Sequence, residues 1–246
     1  MKEPFTYTFP NGKTAHAIQV DHEKDLPHAL RKLNLPYPSP TLVLVGGAKG
    51  LSESNHARLY SLFVEVLAHL AETLGMVVVD GGTDSGVMQL MAQARSEKGA
   101  TFPLIGVIAS GKVMLSGPST SESTSTPLES HHTHFVLIPG SHWGDESPWI
   151  ARIGSALASG KPSVTVLING GEVAWTDAAE AVKAGHPVIV IAGSGRTADE
   201  LAAALRGEVV DERARELVAS GLLYAVNLDD GSDALVKVMK KVLSVP

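Results

Sequence analysis

The chain has 246 residues, 44% of them hydrophobic, which suffices for one large α/β domain or for a domain with an appendage. It contains no cysteine, which excludes disulfides, thiolate metal sites, iron–sulfur clusters and cysteine nucleophiles. A net charge of −6 argues against broad attraction to nucleic acid or an anionic membrane, so an anionic ligand must be held by local donors.

Met1 to Pro10 lacks a basic start followed by an apolar core, and the longest apolar runs fall short of a membrane span. The expectation is a soluble cytoplasmic protein with no membrane partner. Phe5 to Phe9 and Thr14 to Val20 flank Pro10-Asn11-Gly12-Lys13, and Asn-Gly between β-rich runs predicts a hairpin packed on a sheet edge. Leu26 to Leu33 reads as a short helix, followed by a stiff connector at Pro36, Pro38 and Pro40. Residues 1–40 are thus expected to dock, as hairpin and connector, on a single globular unit spanning 41–246.

Leu42 to Val45 is a buried strand that runs into Gly46-Gly47-Ala48-Lys49-Gly50, with a helix from about Ser54 to Leu74. The loop is not a P-loop, because no Gly-Lys-Ser/Thr triplet follows at the needed spacing. Lys49 either reaches a phosphate or is simply solvated.

Met76 to Asp80 repeats the pattern: a Val-rich strand stops at Gly81-Gly82-Thr83-Asp84-Ser85-Gly86, and a helix then runs to about Arg95. Glycines let backbone N–H groups approach a ligand, and a helix's first turn offers unpaired donors and a positive dipole end. Phosphate or carboxylate is the expected guest; the competing reading is a tight turn and nothing more.

After the strand Leu104 to Ala109, Ser116 to Ser130 is a polar, low-complexity insertion that cannot build core, either a flap over the ligand or a surface loop. His131, His132 and His134 follow, but neither a carboxylate nor a fourth ligand sits at a familiar spacing, so no metal site is assigned. His134 opens the strand Phe135 to Ile138 and either anchors it or faces the ligand.

That strand ends in Pro139-Gly140-Ser141-His142-Trp143-Gly144-Asp145-Glu146-Ser147-Pro148-Trp149-Ile150, the segment densest in chemistry. Pro148 suits the first turn of a helix capped by Ser147 or Asp145. Trp143 and Trp149 either stack on a base or sugar or cover the sheet edge. Asp145 and Glu146 are candidates for ribose contact, for a general base, or for capping.

Ser163 to Ile168 leads into Asn169-Gly170-Gly171 and a helix through Lys183. Pro187 to Ile191 leads into Ala192-Gly193-Ser194-Gly195-Arg196-Thr197-Ala198, formally G-x-G-x-x-A. Its place after a late strand argues against a standard nicotinamide dehydrogenase. Arg196, at a glycine-lined helix start, offers a bidentate clamp for phosphate. Glu208 to Leu217 reads as a surface helix, and a strand at Leu222 to Val226 and a helix from about Ser232 to Leu243 complete the chain. The alternation predicts a parallel sheet with helices on both faces, and five glycine loops, at Gly46, Gly81, Gly140, Gly170 and Gly193, gather at its carboxyl edge.

Val43-Leu-Val-Gly-Gly47, Asp80-Gly-Gly-Thr-Asp-Ser-Gly-Val87, His132-Thr-His-Phe135, Pro139-Gly-Ser141, Val166-Leu-Ile-Asn-Gly-Gly171 and Gly193-Ser-Gly-Arg-Thr-Ala-Asp199 together resemble the SLOG superfamily. Within it, they are most similar to prokaryotic relatives of the amino-terminal domain of TRPM-type cation channels, in colinear order from the hairpin to about Leu205. The resemblance implies an α/β, Rossmann-like, doubly wound fold that binds a nucleotide or an NAD-derived molecule such as ADP-ribose, with no required cofactor and with self-association into a homo-oligomer left open. In the channel relatives, the loop matching Gly82 to Gly86 and the arginine matching Arg196 line the nucleotide pocket. LOG-type phosphoribohydrolases of the same superfamily cleave an N-glycosidic bond with Pro-Gly-Gly-x-Gly-Thr-x-x-Glu. Here Pro139-Gly140-Ser141 begins alike, but Ser147, or Pro148 if Gly144 is matched to the third glycine, stands where that glutamate belongs. Asp145 or Glu146 would have to substitute.

Overall fold

The computed structural model describes residues 2–47, 53–113, 126–208 and 211–244. Its strands are β1 (Phe5–Thr8), β2 (Thr14–Gln19), β3 (Thr41–Gly46), β4 (Val77–Asp80), β5 (Leu104–Ala109), β6 (His134–Ile138), β7 (Ser163–Ile168), β8 (Val188–Ala192) and β9 (Leu223–Asn227). They form one sheet in the order β1-β2-β6-β5-β4-β3-β7-β8-β9. Among these strands, only β1 and β2 pair antiparallel, and β2 joins the main sheet parallel to β6. The expected hairpin, docked on a sheet edge, is therefore present.

The Val, Ile and Leu runs become strands because branched side chains pack well on a pleated surface. Their alternation divides the core between two faces. Val43, Val45, Val77 and Val79 belong to one cluster, with α1 (Leu26–Lys32), α5 (Ser147–Ala158), α6 (Glu172–Lys183), α7 (Arg196–Leu205) and α8 (Glu212–Ala219). Leu42, Leu44, Val78 and Val166 belong to the opposite cluster, with α2 (Glu53–Leu62), α3 (Ala68–Thr73), α4 (Gly86–Glu97) and α9 (Gly231–Leu243). Both faces are covered, as parallel strands require. The sequence suggests one uninterrupted helix from Ser54; instead a π turn over Phe63–Leu67 separates α2 from α3, where Phe63, Val64, Val66 and Leu67 all turn into the core.

Two features of the topology place the site. Chain order reverses at β3, which has β4 on one side and β7 on the other. Such a switch point opens a crevice at the carboxyl edge. In addition, β4 is short. Val43 lies opposite Val79, so Leu44 is level with Asp80, the last residue of β4, while β3 continues to Gly46. On the other side Asp80 lies opposite Gly106, and β5 continues to Ala109. β4 thus stops two residues below one neighbour and three below the other, leaving a notch roughly 7–10 Å deep at about 3.3 Å per residue.

The turn after β4 folds back over β5. A Cβ on Gly82 would lie 2.7 Å from the Gly106 Cα and 2.9 Å from the Phe135 ring, and φ at Gly82 is +67°. Gly82→Ala is expected to cost about 2–4 kcal/mol, combining a left-handed backbone with overpacking. Gly99→Ala, at a φ of +59° but in open space, is expected to cost about 1 kcal/mol; urea unfolding of the two variants checks the difference. Among the described residues, no helix is long and apolar enough to cross a membrane.

Candidate functional site

A cavity of about 290 Å³ occupies the notch. Gly46 at the end of β3, Gly81 after β4, and Gly171 after β7 meet there, together with Thr83, Ser85, Trp143 and Glu146. Widely separated glycine loops do converge. α4 and α6 both begin at this cavity, with Ser85 and Gly171 at their N-cap positions, so two helix dipoles point positive ends at it.

Arg196 stands at the rim. A Cβ on Gly171 would lie 2.6 Å from its Nη2, so the guanidinium rests directly on the Gly171 backbone and a side chain there would displace it. Its own φ is +52°, a left-handed conformation uncommon outside glycine, at the first residue of α7. Parallel β8 sits three strand spacings from β4, so the turn beginning at Gly193 lies about 14 Å along the same edge from that at Gly81.

The Gly81–Gly86 turn spends its amides differently from the expected cradle. The Gly82 N–H donates to Asp80 Oδ1 at 2.7 Å, the Asp84 N–H to the Pro127 carbonyl at 2.9 Å, and the Ser85 N–H to the Thr83 carbonyl at 2.8 Å. Those three donors hold the turn's own shape. What faces the cavity is the first turn of α4, which includes Gly86, and the hydroxyls of Thr83 and Ser85, 3.2 Å apart.

Beneath the turn lies a buried ionic network. His132 places Nε2 at 2.8 Å from Asp80 Oδ1 and Nδ1 at 2.9 Å from Glu129 Oε2, while His131 Nδ1 sits 2.7 Å from Glu129 Oε1. Burial opposes charge on His132, yet the two carboxylates outweigh it and raise its pKa to about 9. Burial likewise works against ionised Glu129, but its hydrogen bonds from His132 and His131 hold it below the usual carboxylate range. His132 is therefore an imidazolium bridging two carboxylates. Among the described residues no group of acidic and imidazole side chains is arranged to hold a metal.

The end of the Ser/Thr-rich insertion corrects its reading as a segment unable to build core. Leu128 is 8% exposed and bridges to Thr83, the Glu129 N–H donates to the Gly82 carbonyl at 3.0 Å, and Thr126 lines the cavity. Residues 116–125 of the insertion, and Ala48 and Lys49 of the first loop, lie outside the described residues.

Several expected site residues serve the scaffold instead. His134 stands at the amino end of β6, its ring 5.6 Å from that of His16, away from the notch; its strand register, not visible in sequence, decides this. Asp145 accepts hydrogen bonds from the Ser141 and His142 N–H groups, both at 2.9 Å, and these hold its carboxyl below the usual range. It clamps its own loop, packed against Gly140, and is not among the residues that line the cavity. Asn169 donates from its backbone N–H to Ser194 Oγ and from Nδ2 to the Ser194 carbonyl, both at 2.7 Å, tying the ends of β7 and β8 together. Gly170 packs on Ala174, Gly193 donates to Asp199 Oδ1, and Gly195 abuts Asn169. Gly47 donates to the Ile168 carbonyl at 3.0 Å beside the cavity. Trp149 is buried in the core, whereas Trp143 is 45% exposed at the cavity, with Lys112 Nζ 5.4 Å from its ring.

A profile of the family described as "SLOG in TRPM, prokaryote" matches residues 39–237. The chain belongs to that family. Transient receptor potential cation channel subfamily M member 2 of Mus musculus is 26% identical over 207 residues, covering 68% of this chain and 13% of that protein. The subfamily M member-like 2 protein of Nematostella vectensis is 27% identical over 227 residues (76% and 14%), and subfamily M member 6 of Homo sapiens is 25% identical over 233 residues (80% and 11%). The chain thus spans only 11–14% of the length of these channels. Among solved structures, the X-ray structure of TM1055 superposes with a TM-score of 0.54 at 20% identity, covering 82% of this chain and 99% of that one, a likeness of fold.

This SLOG domain also holds an acid that sequence reasoning missed. Asp177 lines the cavity from α6. It is partly accessible through the cavity mouth, yet protein encloses it closely enough that burial, reinforced by the charge of Glu146, raises its pKa to about 7; the neighbouring Ser147 hydroxyl, which lacks a well-formed hydrogen bond, offsets part of this. Burial also raises the pKa of Glu146, against the pull of the Gly144 N–H at 3.0 Å from Oε2. The missed signal was Asp177 interrupting the stripe Ala174, Ala178, Ala181 at helical spacing. Because folding raises its pKa, Asp177 disfavours the folded state progressively as pH climbs from its ordinary 3.8 through about 7. Asp177→Asn is therefore expected to raise Tm more at pH 8 than at pH 5, as measured by calorimetry.

Proposed function

We propose that this SLOG chain binds a nucleotide-derived metabolite of the ADP-ribose, NAD or AMP type in the notch at the carboxyl edge of its sheet. One observation carries the reading: two helix N-termini, two hydroxyls and an exposed tryptophan border one cavity of ligand size, and the guanidinium of a left-handed arginine rests on Gly171 at its wall. Phosphate oxygens are served by the α4 and α6 N-termini and by Arg196, a base by the face of Trp143, and ribose hydroxyls by Glu146 and Asp177. The family supports this reading.

A second reading, hydrolysis of the N-glycosidic bond of such a ligand, gains from the paired acids. Cleavage adds water across the bond: hydroxyl goes to the ribose carbon and a proton to the departing base. Asp177, holding a proton near neutral pH, suits the donor, and Glu146 beside it suits the group that receives the proton of water. Calorimetric titration with ADP-ribose, NAD and AMP, followed by chromatography of the mixtures, tests both. Saturable binding without products supports the sensor. Products that disappear in Glu146→Gln and Asp177→Asn support the hydrolase, and no binding of any of the three would sink the proposal.

A further inference from the structure

We propose a second ligand site, for a compact phosphoanion, in a cavity at the amino edge of the sheet, independent of the notch. The cavity measures about 530 Å³, within the range of small-molecule sites. The hairpin turn forms one wall with Lys13, β2 contributes His16, the last turn of α4 contributes Arg95, and the segment entering β6 contributes His131 and His134. Among the described residues, no aspartate or glutamate lines it. In a chain of net charge −6, two permanent cations and a group of imidazoles around one acid-free cavity amount to a local reversal of the protein's field.

The cations are held in place; Glu72, the acid that acts electrostatically on Arg95, spends its carboxylate on Thr101 and the Phe102 N–H. Arg95 is oriented by its Nε–H on the Phe102 carbonyl at 2.7 Å and by the Phe102 ring at 5.4 Å, and it forms no ion pair among the described residues. Neither the Lys13 ammonium nor the His16 ring has a hydrogen-bond or ion-pair partner among the described residues. The hairpin turn is fixed in place by Asn11 Nδ2 donating to Ser130 Oγ at 2.9 Å, so the wall bearing Lys13 is anchored to the wall bearing His131. Glu129, which might have neutralised the cluster, is 4% exposed and already engaged by His131 and His132. At His134 burial, and after it the neighbouring His16 and Arg95, lower the pKa to about 4, so this imidazole stays neutral.

A guanidinium, an ammonium and imidazole N–H groups around one space match the several oxygens of a phosphoanion, each able to accept a charge-assisted bond. Pyrophosphate is the probe. Titrated into the full chain, it is expected to shift the imidazole resonances of His16 and His131 saturably, in the wild type and equally in Arg196→Ala, which alters only the notch. Lys13→Ala, an exposed turn substitution, is expected to raise the dissociation constant read from those resonances at least fivefold. Absent or non-saturating shifts, or an unchanged constant in Lys13→Ala, would overturn the assignment. Because the readout comes from the amino edge, failure of nucleotides to bind the notch would leave this result standing.

Discussion

Replacing His132 with alanine is expected to lower the free energy of unfolding by about 3–5 kcal/mol, the usual cost of leaving a buried charge without its partner. His132, Asp80 and Glu129 are 1%, 0% and 4% exposed, so removal of the imidazolium leaves Asp80 without its charged partner in the core beneath the turn at Gly81, and Glu129 with His131 alone. Urea unfolding at pH 6 measures the loss. The pH dependence carries a distinct signature. Folding raises the His132 pKa from 6.5 to about 9, so its contribution is complete below about 6.5 and is lost as pH rises through about 9. Glu129 acts in the opposite sense: its pKa is lowered, and its contribution is present above the ordinary value of 4.5 and lost as pH falls through the depressed one. The wild type is expected to lose stability between pH 6.5 and 9, and His132→Ala to show a flatter profile there. A variant as stable as the wild type at pH 6 would mean that the bridge contributes nothing.

Arg196→Gly is expected to weaken phosphorylated ligands by about 1.5–3 kcal/mol, the worth of a hydrogen bond to a charged group, or roughly 10- to 150-fold in dissociation constant. The same substitution is expected to leave stability unchanged or to raise it by up to about 1 kcal/mol, because glycine occupies a φ of +52° without the left-handed penalty. Opposite signs in one variant separate a ligand contact from a scaffold role. Titration calorimetry and urea unfolding on the same sample provide both readings, and unchanged affinity would remove Arg196 from the site.

Much of the architecture was legible because parallel strands carry their signal locally. Val, Ile and Leu runs such as Leu42 to Val45 and Val188 to Ile191 end at glycines, and that pattern places the loops at one edge. What stayed hidden depends on distant pairing. The truncation of β4 follows from register with β3 and β5, which no stretch of sequence displays. His132 stood out as one of three neighbouring histidines, but its partner Asp80 is 52 residues away. Likewise, Asp84 spends its N–H on Pro127, at the far end of a segment that reads as solvent-facing polymer. Asp145 and Glu146 are adjacent and chemically alike, both accept from backbone N–H groups of their loop, and only the path of that loop puts one of them, Glu146, on the cavity wall.

The abbreviated β4 also bears on how such a chain could gain or lose ligands over time. The depth of the recess comes from the early end of a central ribbon, so the flank of the neighbouring ribbon, Leu44 and Val45, forms part of its wall. Extending that ribbon by two positions would fill the recess while leaving both layers of helices where they are. Loss of the recess and retention of the scaffold are therefore separable, and a relative with a longer central ribbon would keep the architecture and have nowhere to put a guest.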